Sequence, residues 1–329
     1  MRLFGHITYL KYTPSFICIL CFLYFSCSRT VEDMGASISI SAGDLKAVFI
    51  DNSAYGASHR AGYNGIAELR HTLQDSSIFV PDYAGFNLEH IFGGDSLIQK
   101  MEPRHAPMQL TKISDQEVLL HQPLTPLSKV ESWTTFKLSE PHYIDIQFRC
   151  IIHHEAFFKH GYTALFWASY INAPPDKKIY FWGRKKGWDG YKRIAAYSPK
   201  HGVMSTHVGQ EDSLSLYMAP DFNVVLAKGI SDYIFLQPFY YGRFHQMVLV
   251  YLFRTSAGQF IRFSQSPNGG GGQNPAWDFQ FIIPDFETGK VYEFTARIVY
   301  KKFAGHQDIQ NEYDQWKNLI NGVISGKVE

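Results

Sequence analysis

An excess of either charge is absent from this sequence of 329 residues, in which 31 Lys and Arg face 30 Asp and Glu. Nucleic-acid-binding proteins usually carry a basic excess, so the balance argues against nucleic acid as a partner. Cysteine is scarce as well: of four residues, Cys150 alone follows residue 27. No intramolecular disulfide can form in the body of the chain, and a hydrophobic core must stabilise the fold.

Glycine and proline are not abundant enough, at 26 and 15 residues, for a collagen-like or low-complexity chain. The sequence contains no internal repeat of about 20–50 residues, which argues against a solenoid or a propeller. Aromatic residues are plentiful, because Phe, Tyr and Trp make up 16% of the chain. This content predicts a large core and leaves rings available for a ligand.

The first 27 residues have the pattern of an export signal. Arg2 and Lys11 precede an apolar run at Phe16–Phe25. That length is typical of a signal peptide and too short for a bilayer span, which needs about 20 residues. Cys27 follows a small residue in a context that resembles a lipoprotein box, so we expect lipidation there and a polar tether over 28–35.

The expected location is therefore the cell envelope, in the outer membrane or the periplasm, with a lipid anchor at Cys27 in the membrane. Tyr24 and Phe25 are bulkier than the residues usual before a lipidated cysteine. Plain secretion and a short uncleaved anchor are the alternatives.

Alternation of apolar and polar residues runs through most of the remaining chain. In Tyr143–Ile152 every second residue is apolar and Cys150 lies on the apolar face, which predicts a half-buried antiparallel strand with an inert, buried thiol. Similar alternation occurs in Thr163–Ile171, Met247–Arg254, Trp277–Ile283 and Val291–Lys301.

The segment 308–321 differs, since Ile309, Tyr313, Trp316 and Ile320 lie on one helical stripe. The predicted fold class is all-β: one large antiparallel β-sandwich domain over residues 36–329, with a C-terminal amphipathic helix.

Histidine is concentrated in one part of the chain, with seven of the 14 between residues 90 and 160. Histidine transfers protons near neutral pH. The candidate catalytic residues of this polar region are His90, Arg104, His121 and Asp145. We expect Asp145 to approach His121 or Arg104. The alternative is that these side chains are simply exposed at strand ends and loops.

Aromatic residues beside polar or cationic groups predict a carbohydrate site, because a flat ring contacts the apolar face of a sugar while polar neighbours bond its hydroxyls. The candidate substrate-binding residues are Glu89, Trp167, Tyr170, Trp182, Trp188, His201, His207, Tyr240 and Arg243. Ordinary packing is the alternative for the aromatic groups.

No metal or cofactor is predicted. The adjacent His153 and His154 would point to opposite faces of a strand, and the sequence has no His-Glu-x-x-His or Cys-x-x-Cys motif. A structural Ca²⁺ site is left as an alternative, because oxygen ligands scattered along the chain form no recognisable sequence motif. The glycine run 268–273 lacks the Lys-Ser/Thr of a phosphate loop and predicts a flexible surface loop.

Four segments resemble the galactose mutarotase-like superfamily: Gly43–Phe49, Tyr143–Asp145, Asn274–Phe281 and Gly289–Tyr292. The likeness extends over roughly residues 36–305 and is to uncharacterised exported members rather than to the aldose epimerases. It implies a supersandwich fold and a carbohydrate ligand, since the superfamily includes aldose 1-epimerases, carbohydrate-binding domains and polysaccharide lyases.

In the epimerases of this superfamily an Arg and two His precede a late Glu base. The residues with a similar order here are Arg104, His121 and either His201 or His207. The resemblance implies that the late acid would be Asp278, Asp285 or Glu287.

These features predict an exported carbohydrate-active enzyme of lyase, epimerase or hydrolase type. It would act on a poly- or oligosaccharide by proton transfer through His, Tyr or an acid. A non-catalytic carbohydrate-binding surface lipoprotein is the alternative, and a structural lipoprotein is a third interpretation.

Overall fold

The computed structural model describes residues 37–53, 62–80 and 83–325. The predicted signal peptide, the tether and the lipidation site Cys27 lie outside these residues and stay predictions.

The helices are α1 (Glu102–His105), α2 (Val225–Lys228) and α3 (His306–Ser325). The strands are β1 (Ser37–Ala42), β2 (Leu45–Ile50), β3 (Gly65–His71), β4 (Asn87–Phe92), β5 (Gln109–Ser114), β6 (Glu117–Gln122), β7 (Val130–Ser139), β8 (Tyr143–Ile152), β9 (Tyr162–Ala168), β10 (Ile179–Lys185), β11 (Lys192–Ala196), β12 (Thr206–Gly209), β13 (Ile230–Phe235), β14 (Phe239–Phe244), β15 (Met247–Thr255), β16 (Phe260–Ser266), β17 (Ala276–Pro284) and β18 (Val291–Lys302).

These strands form two sheets. A small sheet has the order β1-β2-β3, and a sheet of 15 strands has the order β4-β9-β17-β16-β12-β13-β10-β14-β15-β18-β8-β7-β6-β5, with β11 paired to β10. The strand pairs are antiparallel except β12–β13, which is parallel. The predicted all-β sandwich is confirmed.

The main core lies between the two halves of the large sheet. Trp167 of β9 stacks on Phe279 of β17, with ring centroids 4.9 Å apart. From the other half, Phe148 of β8 and Phe294 of β18 approach Trp167 at 4.8 and 5.4 Å. The inward faces of β9, β17, β8 and β18 therefore share one hydrophobic cluster.

In strand β8 the residues predicted to face the core are the buried ones. Its burial alternates residue by residue, and Cys150 is free and fully buried. Burial raises the pKa of its thiol well above the ordinary value. The thiol is therefore protonated near neutral pH, and the prediction that Cys150 is buried is confirmed.

The predicted C-terminal helix is confirmed as α3, which is longer at both ends than the pattern indicated. Its residues Ile309, Tyr313 and Trp316 are buried against the outer faces of β14, β15 and β18. Among the residues that the structure describes, no helix is both long and apolar enough to cross a membrane.

Glu312 fixes α3 to the sheet. Its carboxylate lies 2.6 Å from Nζ of Lys301, accepts a hydrogen bond of 3.0 Å from the hydroxyl of Tyr143, and lies 3.6 Å from Nε2 of His142. Burial alone would raise the pKa of Glu312, but these partners outweigh it and lower the pKa from 4.5 to about 2.

The lowered pKa predicts how this contact depends on pH. Its contribution is fully present above the unfolded value of 4.5 and is lost as the pH falls towards about 2. We expect Glu312→Gln to reduce the free energy of unfolding by about 1–2 kcal/mol at pH 7, a value discounted for screening by water. Urea titrations should show the two proteins converging in acid. A difference that stays constant down to pH 2 would contradict this assignment.

Candidate functional site

A bulge in β4 turns two adjacent polar side chains to the same side of the sheet. Leu88 pairs with Trp167 and His90 pairs with Phe166, so Glu89 is the extra residue between them. Leu88 belongs to the main core, whereas His90 contacts the Phe166 ring on the outer face. Bulges often re-aim side chains in this way near functional sites.

Glu89 is the centre of a buried polar cluster, which we call the Glu89 cluster. Its Oε1 accepts a hydrogen bond of 2.6 Å from the hydroxyl of Tyr170 and lies 3.3 Å from Nη1 of Arg104. Its Oε2 lies 3.6 Å from Nε2 of His90. The side chain of Glu89 is only 6% exposed, so its contacts are made in a medium that screens charge weakly.

Aromatic rings hold Arg104 in place. Its guanidinium lies 3.7 Å from the ring centroid of Tyr63, a cation–π contact. Tyr63 meets Tyr170 edge to face at 5.5 Å, and the Tyr83 ring lies 4.9 Å from Tyr170. Burial raises the pKa of Tyr63 to about 12, although Arg104 opposes the rise. Tyr63 is therefore neutral at physiological pH.

The backbone of Gly62 allows this approach. Its φ is +78°, and a Cβ there would lie 2.5 Å from the carbonyl oxygen of Arg104. A larger residue would separate the Tyr63 segment from α1, so the local sequence is suited to the contact between Tyr63 and Arg104.

Asp278 of β17 brings a second carboxyl group to the cluster. It is fully buried, and its Oδ1 accepts a hydrogen bond of 3.0 Å from the backbone N–H of Ser169. Its Oδ2 has no hydrogen-bond partner among the described residues. Burial raises the pKa of Asp278 well above 3.8, the Ser169 N–H opposes the rise, and the charge of Glu89 adds to it.

Two histidines complete the cluster as neutral imidazoles. Burial lowers the pKa of His90, whose Nδ1 is hydrogen-bonded to the carbonyl of Lys100. His201 is exposed at the rim, and its pKa is lowered by burial of the ring and by Lys100, against the opposing charge of Glu89. The cluster therefore combines neutral imidazoles, a carboxyl group whose pKa is raised and a cation, which are the components of acid–base catalysis.

The glycine run 268–273 forms a turn beside Tyr170. A Cβ on Gly269 would lie 2.7 Å from Cβ of Ala276 and 3.3 Å from Cε1 of Tyr170. The loop backbone thus lies directly against the ring, and the small size of glycine permits this contact.

His121 and Asp145, two of the four candidate catalytic residues, lie outside the Glu89 cluster. The Nε2 of His121 is 2.9 Å from Oε1 of Glu131, and its ring stacks on Trp133. The carboxylate of Asp145 receives two hydrogen bonds from Arg297, of 2.7 and 3.1 Å. The expected approach of Asp145 to His121 or Arg104 is wrong, because each group is satisfied by partners on β7 or β18.

The candidate substrate-binding residues separate into three environments. Glu89, Tyr170 and His201 belong to the Glu89 cluster. Trp182, Trp188 and Arg243 lie on or near β10 and β14, two strands that contribute no residue to the Glu89 cluster. The buried candidates are Trp167, Tyr240 and His207.

Those buried side chains have packing partners. Trp167 belongs to the main core, and Tyr240 stacks on Tyr251 at 5.1 Å. His207 Nδ1 lies 2.5 Å from the Ser231 hydroxyl, and burial lowers its pKa to about 3. Packing is thus the observed environment of all three.

Sequence reasoning missed Tyr63, Tyr83 and Lys100. No motif marks them, since each reaches the cluster through loop geometry. Asp278 entered only through the family resemblance, although its strand pattern carried a usable signal: it is a charged residue between Trp277 and Phe279, two core aromatics.

One group of side chains could hold a metal ion. Candidate ligand atoms of Asp44, His71 and His142 lie within 4.8 Å of one another. However, Nδ1 of His71 accepts a hydrogen bond of 3.0 Å from the backbone N–H of Leu73. A neutral ring then carries its proton on Nε2, the atom that faces Asp44 at 3.7 Å. With its proton on Nε2, neutral His71 has no lone pair there for a metal, so the geometry does not favour a metal centre.

Asp278→Asn tests the protonation state assigned to the cluster. The variant keeps an oxygen for the Ser169 N–H and cannot ionise. The pKa of Asp278 is higher in the folded protein than its ordinary value of 3.8, so the folded state binds the proton more tightly than the unfolded state. The protonated group therefore contributes its full stability below pH 3.8, and this contribution is lost as the pH rises. We expect the wild type to lose stability relative to the variant above that pH, by at most about 1.4 kcal/mol per pH unit. Urea unfolding between pH 4 and 7 measures this, and parallel profiles would refute a protonated Asp278.

No protein-family model matches this chain, and no characterised protein matches its sequence. Among solved structures it is similar to a putative aldose 1-epimerase from Escherichia coli K12, with 10% identity over 82% of this chain and 99% of that one, at a TM-score of 0.41. A heparan sulfate lyase mutant from Pedobacter heparinus has 9% identity over 83% of this chain and 36% of its own, at a TM-score of 0.43.

A 4-alpha-glucanotransferase from Thermococcus litoralis has 8% identity over 82% of this chain and 38% of its own, at a TM-score of 0.36. This chain thus spans little more than a third of the lyase and of the glucanotransferase. At such identities the likeness is one of fold alone.

Proposed function

We propose that this protein is a carbohydrate-active enzyme that acts on a poly- or oligosaccharide by acid–base chemistry at the Glu89 cluster. The observation that carries the proposal is the convergence of Arg104 and Tyr170 on one buried carboxylate oxygen. Neutral His90 and the buried Asp278, whose pKa is raised, lie beside it. Such convergence of titratable groups with perturbed pKa values is typical of functional sites.

Each member has a chemical role in this proposal. His201, the exposed imidazole, accepts a proton from a sugar carbon or hydroxyl. Asp278 is fully buried and acts through the charge balance of the cluster rather than by touching the sugar. Arg104 stabilises negative charge that develops on a sugar oxygen. The half-buried ring of Tyr83 supplies the flat surface that the apolar side of a sugar requires.

Activity on a panel of polysaccharides tests the proposal. Purified protein is incubated with each polymer, and products are read as new reducing ends, as absorbance of unsaturated sugars and as a change of anomer ratio. We expect one class of polymer to be converted, and its product type to identify a lyase, a hydrolase or an epimerase. Binding without conversion of any polymer would leave the non-catalytic binding protein as the better description.

Export and anchoring form a separate part of the proposal. The protein is lipid-anchored in the cell envelope through Cys27, and its substrate is then a polymer met outside the cytoplasm. Labelling with a fatty-acid analogue should mark the wild type and fail for Cys27→Ser. Equal labelling of both proteins would reject the anchor and favour plain secretion.

A further inference from the structure

The hairpin β10–β11 concentrates positive charge in an otherwise balanced chain. Residues 184–193 contain five cations and one carboxylate, that of Asp189. The cations are Arg184, Lys185, Lys186, Lys192 and Arg193. None of them forms an ion pair with a residue that the structure describes; the nearest pair along the chain joins Lys178 to Asp176. This charge is therefore available to an anion from outside.

Two tryptophans are exposed on the same hairpin. Trp182 is 40% and Trp188 is 36% exposed. Arg193 is the direct cross-strand neighbour of Trp182, and Nζ of Lys192 lies 3.7 Å from the ring centroid of Trp188. Cations on an edge strand such as β11 also prevent aggregation, but that role requires no exposed tryptophan.

A cavity of about 390 Å³ lies at the base of the hairpin, where it meets the start of α3. Its size is within the range of small-molecule sites. The lining includes Trp182, Arg193, Gln237, Tyr241, His306 and Gln310, and it contains no carboxylate. The Oε1 atom of Gln237 is buried and has no hydrogen-bond partner among the described residues.

The charge of the hairpin extends into this cavity. Burial lowers the pKa of His306, and the charges of Arg193 and Arg243 lower it further. The ring of Tyr241 stacks on Tyr180 at 5.3 Å, and its hydroxyl is hydrogen-bonded to His306. Flat rings, amides and the cation of Arg193 thus line one site.

We propose that the β10–β11 hairpin and this cavity bind an acidic polysaccharide, a polymer whose sugars carry carboxylate or sulfate groups. The rings contact the apolar faces of the sugars, the glutamine amides bond hydroxyls, and Arg193 with its neighbouring cations pairs with the acidic groups. The site shares no residue with the Glu89 cluster, so binding here goes beyond the proposed reaction and does not depend on it.

Two matched pairs of polymers test this site in the full chain. Polygalacturonate is compared with its methyl ester, and dextran sulfate with dextran, by affinity electrophoresis and calorimetry. We expect binding to at least one acidic polymer, none to its neutral partner, and weakening with salt. Trp182→Ala and Arg193→Gln should each reduce affinity about tenfold or more. Both side chains are exposed, and melting temperatures confirm that the variants fold.

Arg149→Gln is the matched control, because Arg149 also lies over a tryptophan, with its guanidinium 4.6 Å from the ring centroid of Trp133. The affinity of Arg149→Gln for the acidic polymer should be unchanged. Equal affinity for acidic and neutral polymers, or unchanged binding by both hairpin variants, would overturn the proposal. Binding to phosphatidylglycerol vesicles or single-stranded DNA without binding to either acidic polymer would overturn it as well.

Discussion

Glu89→Gln is expected to lower kcat/KM on the converted polysaccharide by about 10²–10⁴-fold, the usual contribution of a positioned acid–base group. The substitution keeps the shape of the side chain and removes its charge. Arg104 then loses its ionic partner at 3.3 Å. The charge that acts on His201 and Asp278 disappears as well. Steady-state kinetics on the polymer identified in the panel measure the effect.

Glu131→Gln is the matched control for this experiment. Glu131 also contacts two histidines, since its oxygens lie 2.9 Å from His121 and 3.1 Å from His153. It lies on β7, outside the Glu89 cluster, so its substitution should leave kcat/KM unchanged. Full activity of a folded Glu89→Gln protein, or an equal loss in both variants, would show that the reaction occurs elsewhere.

Arg262→Ala should have the largest effect on stability, a loss of about 3–5 kcal/mol in the free energy of unfolding. The guanidinium of Arg262 makes hydrogen bonds of 2.6 and 3.0 Å to the carboxylate of Asp212, and both side chains are at most 3% exposed. Truncation would leave a buried carboxylate without its cation. The same guanidinium reaches the carbonyl of Leu214 at 3.3 Å and so holds the segment after β12 against β16. Urea unfolding measures the change.

Two further variants separate the cost of a lone buried charge from the net contribution of the pair. Replacing both partners, Arg262→Met with Asp212→Leu, should recover most of the loss, because no charge then remains buried. Arg70→Ala removes a more exposed partner, 45% exposed, from Glu68 and should cost less than about 1 kcal/mol. If Arg262→Ala were as mild as Arg70→Ala, water would have to reach Asp212.

Periodicity predicted strands such as β8 and the helix α3 because those elements have one face in the core. The alternation in Tyr143–Ile152 is a direct consequence of the two environments of β8, and the stripe at Ile309, Tyr313 and Trp316 follows from the way α3 covers the sheet. The order of the strands could not be predicted in this way. It depends on long-range pairings such as that of β9 with β17.

The candidate site was only partly predictable for the same reason. Composition indicated His90 and Arg104, but a strand pattern does not tell which half of the sandwich a polar face belongs to. His121 and Asp145 lie on β6 and β8, in the half of the sandwich that does not contain β4. Their strand patterns could not show this. The bulge that turns Glu89 to the outer face leaves no mark in the sequence, since it is a property of the pairing between β4 and β9.

The pairing of β4 with β9, and of β9 with β17, also has a consequence for the order of folding. The Glu89 cluster joins residues on strands that are far apart along the chain, so large loops must close before it can exist. The hairpins from β5 to β8 involve neighbouring strands and should form earlier. Activity would then appear last during refolding, after most secondary structure has formed, and a chain truncated before β17 would lack Asp278 and could not assemble the cluster.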